Sequence, residues 1–174
     1  MIVKEFLSIY QNDGIVQSIS DKITTSKPGE SFHLKGLCGS LDTVLMSALL
    51  QEKEPFLIIC EEKEEAQYLY NDLQALIGDT AVILFPMSHK KPYEWEEVDN
   101  ANVLLRAEVL NILSNYAGQS LAIVSYPAAM TEKVINRKSL VKNTLSIRVG
   151  DKIDRNFVAE TLNEYDFERT DFVY

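Results

Sequence analysis

The spacing of apolar residues divides the first part of the chain into helices. Apolar side chains recur at helical intervals through residues 1–23, and the Asn12-Asp13-Gly14 turn interrupts them, which predicts two short helices. A third helix is expected after Ser40, with its core stripe formed by Leu41, Val44, Leu45, Ala48 and Leu49. A fourth is expected to end at Gly78, because glycine is the common residue past a helix C-terminus.

Short runs with few polar residues lie between these helices and predict strands. Pro55–Cys60, Ala81–Phe85 and Ser120–Ser125 are almost continuously apolar, which is typical of strands buried on both faces of a sheet. Ser31–Lys35 alternates instead, and is expected to form a strand that leads into a glycine-containing loop. Strands and helices that alternate along a chain favour a parallel sheet with helices on both faces. The sequence therefore predicts an α/β fold.

An irregular segment and two further helices are predicted between Pro86 and the end of the first domain. Pro86–Asn100 is expected to be irregular, and its Trp95 ring is expected to lie on the domain rather than to anchor a partner. The helix that follows is predicted to bury one face, formed by Val103, Leu104, Ala107, Leu110 and Leu113. Pro127 suits the start of another short helix.

The pattern changes near the end of the chain and predicts a domain boundary. Residues 1–142 are assigned to the first domain, and residues 143–174 to the start of a second, smaller α/β domain that continues beyond Tyr174. Thr144–Val149 alternates with period two, as in a sheet with one wet face. Asp154 is expected to cap a short helix, and Glu168–Tyr174 is expected to form a strand.

The loop before the third helix partly matches a phosphate-binding loop. Such a loop requires a glycine and, after four residues, Gly-Lys-Ser/Thr at the start of a helix. Gly36 and Thr43 stand at the required positions, and Gly39 adds a second flexible residue. Leu41 and Asp42 replace the required glycine and lysine. The match is therefore broken at its two central positions.

Both replacements oppose a phosphate ligand. The Leu41 side chain would crowd the approach of backbone to phosphate, and Asp42 would place a negative charge beside a polyanion. Asp42 and Ser40 still suit a helix start, as a first-turn carboxylate and an N-cap. We interpret the segment as a phosphate-loop remnant without a ligand, comprising Gly36, Gly39, Ser40, Leu41, Asp42 and Thr43. No catalytic residue, cofactor or metal is expected.

Composition narrows the functional classes. The 174 residues are 46% hydrophobic, and 26 acidic against 17 basic side chains give a net charge of −9, which argues against direct binding of nucleic acid. The acidic runs Glu52–Glu65 and Glu94–Asp99 are interpreted as solvated faces, with a docking surface for a basic partner as the alternative. Cys38 and Cys60 form no disulfide or metal pattern. Without a membrane span or signal peptide in the sequence, we predict a cytoplasmic protein.

A series of short segments resembles the N-terminal end of the bacterial transcription-repair coupling factors (Mfd), and it covers nearly the whole chain. The order and spacing of the segments carry the resemblance: Leu37-Cys38-Gly39-Ser40-Leu41, Leu84-Phe85-Pro86, Lys91-Pro92-Tyr93-Glu94, Leu105-Arg106, Ile123-Val124-Ser125 with Ala128-Ala129, and Val149-Gly150-Asp151-Lys152-Ile153.

This resemblance implies a RecA-like domain similar to the front of UvrB, with an inserted small α/β domain that contacts UvrA. It implies a module that has lost its ATP site, in a parent protein whose ATP-dependent DNA-translocating motor lies downstream. The DNA-gripping hairpin of UvrB would fall at Pro86–Asn100, which is too short to carry it. The arginines that contact UvrA would follow Tyr174. The expected function is a non-catalytic structural and interaction module that supports UvrA recruitment and regulation by other domains of the same chain.

Two enzymatic alternatives remain open from the sequence. Gly36, Gly39 and Thr43 favour an active P-loop ATPase or a UvrB-like helicase domain, whereas Leu41 and Asp42 oppose it. A small-molecule α/β enzyme is compatible with the fold class, but the sequence offers no combined nucleophile, base and acid for it.

Overall fold

The computed structural model describes residues 3–50, 55–78, 82–89, 99–142, 144–145, 147, 149–164 and 167. Trp95 and the predicted strand Glu168–Tyr174 lie outside the described residues. The helices and strands are α1 (Val3–Gln11), α2 (Gly14–Thr25), α3 (Leu41–Leu49), β1 (Pro55–Ile59), α4 (Lys63–Ile77), β2 (Val82–Leu84), α5 (Asn100–Ser114), β3 (Leu121–Ser125), α6 (Pro127–Thr131), α7 (Arg137–Lys142) and α8 (Arg155–Glu164).

The three strands form one parallel sheet in the order β1-β3-β2. Ile123 at the centre of the register lies opposite Leu57 of β1 and Ile83 of β2. Every residue of β3 is buried, because this strand has a neighbour on each side and a helix-covered face above and below. Consecutive strands are joined through helices, as parallel pairing requires. The predicted α/β class is confirmed.

Helices cover both faces of the sheet because side chains alternate between the two faces along each strand. On one face, Ala66 and Leu73 of α4 pack with a cluster that includes Ala122 and Val124. On the other face, Val109 of α5 packs with Phe85, Leu121 and Ile123. The hydrophobic core of the sheet is thus split into two layers.

The helices before the sheet form a separate cluster on α3. Val16 of α2 packs against Leu45, Ala48 and Leu49 of α3. The predicted break between α1 and α2 is present, and Asp13 caps α2 by accepting hydrogen bonds from the N–H groups of the next turn. This cap fixes where the second helix begins.

Two strand predictions in the first 135 residues need correction. Ser31–Lys35 forms no strand; residues 30–38 are irregular and exposed, including His33. β1 forms as predicted, but it lies at the edge of the described sheet, and Leu57 and Ile59 are 51% and 55% exposed rather than buried on both faces. A continuous apolar run predicts a strand, but it does not show whether that strand lies at the centre or at the edge of a sheet.

The predicted core face of α5 is wrong at four of its five residues. The buried residues of α5 are Arg106 and Val109, whereas Leu104 is 70% exposed and Val103, Ala107 and Leu113 are exposed as well. Leu110 is half-buried and packs against the core as predicted. Arginine is rarely buried unless it is paired, so the burial of Arg106 could not be expected from its residue type.

The chain divides into two compact units, Met1–Ile135 and Asn136–Tyr174. The second unit contains α7 and α8, and Asp154 caps α8 as predicted, through a 2.8 Å hydrogen bond from the Asn156 N–H. Among its described residues none is buried, and the described positions of Thr144–Val149 form no strand. Within the described chain, no helix combines the length and the apolar character needed to cross a membrane.

Candidate functional site

Two glycines of the predicted phosphate-loop remnant have left-handed backbone angles. Gly36 and Gly39 have φ angles of +85° and +60°, in the left-handed region that favours glycine. The Leu41 N–H donates to the Cys38 carbonyl at 3.3 Å, which closes a turn immediately before α3. The predicted glycine turn into a helix is therefore present, although no strand leads into it.

The Asp42 side chain accepts hydrogen bonds from Thr43 at the start of α3. Its Oδ1 accepts hydrogen bonds from the Thr43 N–H at 2.7 Å and from the Thr43 hydroxyl at 3.3 Å. Thr43 is 4% exposed, and its carbonyl accepts from the Ser47 hydroxyl within α3. In a working phosphate loop, the amide and hydroxyl at this position serve phosphate and Mg²⁺. Here they contact a carboxylate of the chain itself.

The neighbouring loop residues contribute little to a ligand site. Ser40 stands at the N-cap position of α3, but its side chain makes no capping hydrogen bond, so the predicted cap by Ser40 is wrong. Leu41 is partly buried at the first position of the helix. The six predicted residues thus lie together in space as a helix-initiating turn.

A second polar cluster lies where β2 and β3 end, and the sequence did not predict it. The backbone of Phe85–Ser88 leaves β2 here, and each of its residues is bonded by a side chain from another element. Ser125 donates to the Phe85 carbonyl at 2.8 Å, and the Met87 N–H donates to the Tyr126 hydroxyl at 2.9 Å. Asn102 of α5 donates to the Met87 carbonyl at 2.9 Å.

Arg106 is the centre of this cluster. Its Nη1 donates to the carbonyls of Pro86 at 2.7 Å and Ala129 at 3.2 Å, and its guanidinium carbon lies 4.1 Å from the centre of the Phe85 ring. Its Nε lies 3.6 Å from the carboxylate of Glu132. Within the part of the chain that the structure describes, its Nη2 is buried and has no hydrogen-bond partner. One arginine therefore joins β2, α5 and α6.

Glu132 completes the cluster by binding both polar groups of Ser88. Its Oε2 accepts from the Ser88 N–H at 2.8 Å, and its Oε1 accepts from the Ser88 hydroxyl. Burial raises the pKa of Glu132, but the Ser88 hydrogen bonds and the Arg106 charge outweigh it, so the pKa lies below its ordinary value. The carboxylate is therefore held in its charged form.

The other titratable groups of the cluster respond mainly to burial. Burial lowers the pKa of Arg106, and the nearby Glu132 and Tyr126 partly oppose this. Burial likewise raises the pKa of Tyr126, against the hydrogen bond from Met87. The arginine remains charged at neutral pH in any case, because its pKa starts far above 7. The cluster fixes the path of the chain after β2 by charge-assisted hydrogen bonds.

The only sequence signal for this cluster was an arginine amid apolar residues of α5. Its partners Ser88 and Glu132 are separated from each other by 44 residues, so no local motif connects them. Leu105-Arg106 entered the sequence argument as part of a resemblance and without a structural role.

The chain is similar in sequence to a known protein over most of its length. Over 142 residues, or 80% of its length, the chain is 30% identical to the transcription-repair-coupling factor of Bacillus subtilis (strain 168). The match covers 12% of the Bacillus protein, so the chain spans about an eighth of its relative's length. No protein-family model and no solved structure matches the chain. The chain is therefore related to one region of the transcription-repair-coupling factors, which confirms the family resemblance of its sequence.

Proposed function

We propose that this chain is a non-catalytic structural and interaction module of a transcription-coupled DNA repair factor, acting in the cytoplasm. Its first unit would be a RecA-like domain with a degenerate phosphate loop. The observation that carries this proposal is the contact of Asp42 with the N–H and hydroxyl of Thr43, the groups that a nucleotide and its metal would require. The relationship to the Bacillus coupling factor supports the repair context.

Charge gives a second, independent argument against nucleotide binding at this loop. A nucleoside triphosphate requires a positively charged group beside its phosphates. The loop instead presents the Asp42 carboxylate in the first turn of α3. A ligand would have to displace Asp42 from Thr43 and also tolerate its negative charge. Both effects lower affinity for the same anion.

Calorimetric titration with ATP and Mg²⁺ tests the nucleotide part of the proposal. The natural chain is expected to show no binding heat, whereas Leu41→Gly combined with Asp42→Lys is expected to gain measurable affinity because the loop keeps its glycine backbone. An Asp42→Asn variant, which removes the charge and keeps a helix-capping side chain, serves as the matched control. Micromolar binding of ATP by the natural chain would contradict the proposal.

The alternative function is an active P-loop ATPase or UvrB-like helicase domain. The left-handed Gly36 and Gly39 and the position of Thr43 favour it. Micromolar ATP binding in the same titration, followed by ATP hydrolysis that Thr43→Ala abolishes, would establish this alternative.

The proposed partner is UvrA, recruited mainly through the second domain of the parent protein, with other domains of the same chain regulating access. If this is correct, the isolated UvrB-like module with a complete second domain should bind UvrA more tightly than the intact parent protein, because masking contacts are removed. The two affinities are measured with UvrA immobilised on a surface and each of the two proteins in solution. Equal affinities would remove the regulatory part of the proposal.

A further inference from the structure

We draw no further inference here: the strongest candidate, the cavity of about 510 Å³ between the acidic start of α4 and the segments that follow β2 and β3, takes its charge from the cluster of Glu61, Glu62 and Glu64 alone, and nothing in the part of the chain that the structure describes shows what occupies or covers it.

Discussion

Arg106 shows how one buried charge organises the end of the sheet. Arg106 is 6% exposed. It donates hydrogen bonds to the Pro86 and Ala129 carbonyls and lies beside the Glu132 carboxylate. A buried ion pair adds little stability over a well-packed apolar pair, but removal of one partner leaves the other charge uncompensated. The Pro86 and Ala129 carbonyls would lose their donor in the same step.

Arg106→Met is therefore expected to lower the free energy of unfolding by about 3 kcal/mol, because Glu132 and two carbonyls lose their partner. Urea denaturation followed by circular dichroism gives the value. Lys133→Met removes an exposed cation next to the same glutamate, and it should change stability by less than about 0.5 kcal/mol. Equal stability of the natural chain and Arg106→Met would show that the Arg106 contacts are energetically neutral.

The lowered pKa of Glu132 predicts a specific loss of stability in acid. A carboxylate whose pKa is lower in the folded state contributes stability above its unfolded pKa of roughly 4.3, and this contribution is lost as the pH falls through the folded pKa. Glu132→Gln should flatten this part of the stability profile. The measurement is a series of urea titrations between neutral pH and the acid range.

Glu108→Gln is the matched control for Glu132, because Glu108 lies on an exposed face of α5. Its stability profile should keep the acid slope of the natural chain. If Glu132→Gln keeps that slope too, the Ser88 and Arg106 contacts do not hold the carboxylate in its charged form.

At the scale of elements, helix ends in this chain depend on particular residues. α4 ends at Gly78, whose φ of +92° and ψ of 162° lie in a region that L-residues rarely adopt. A Cβ at Gly78 would have no atom within 4 Å, so a substitution there costs only backbone strain.

Gly78→Ala is expected to destabilise the chain by about 1–3 kcal/mol through this strain. Gly14→Ala provides the contrast, because Gly14 begins α2 without a positive φ and its added Cβ also meets open space. That variant should leave stability unchanged or raise it by up to about 1 kcal/mol. Thermal unfolding of both variants gives the comparison, and an equal effect of the two would refute the strain argument.

Elements were predictable from the sequence where local pattern decides them. The turn at Asn12-Asp13-Gly14, the three apolar runs and the Asp154 cap are local features, and the corresponding helices and strands are present. The alternating runs Ser31–Lys35 and Thr144–Val149 form no strand in their described residues. The edge position of β1 depends on which strands pair, which the residues of β1 do not encode. The face of α5 was missed because Arg106 is buried by contacts with Phe85–Ser88 and α6, distant in sequence.

Of the two candidate sites, one is formed by neighbouring residues and the other by residues that are distant in sequence. The proposed phosphate-loop remnant lies within eight residues, so comparison with the motif was enough to single out Leu41 and Asp42. The contact of Asp42 with Thr43 was not predicted; the sequence placed Asp42 only as a carboxylate in the first helical turn. By contrast, the Arg106–Glu132–Ser88 cluster forms only after β2, α5 and β3 have come together.

At the scale of the whole molecule, burial is concentrated in the first unit. Among the residues that the structure describes, those that are buried belong to Met1–Ile135, and β3 is buried along its full length. In the second unit, the described residues of α7 and α8 are exposed or half-buried, and apolar side chains such as Phe157 and Val141 face solvent. Local stability follows buried apolar contact, so the two units should differ strongly in it.

Native-state hydrogen exchange is expected to show this difference directly. Amides of β3 and of the buried face of α4 should exchange slowest, near the limit set by global unfolding, because their opening requires loss of the core. Amides of α8 should exchange orders of magnitude faster, since no buried side chain in its ten residues opposes local unfolding. Mass spectrometry of peptic fragments resolves the two regions in one experiment, and α1 serves as an intermediate reference because it buries Leu7 alone. Exchange of α8 as slow as that of β3 would mean that the second unit is stabilised by contacts equivalent to those of a buried core.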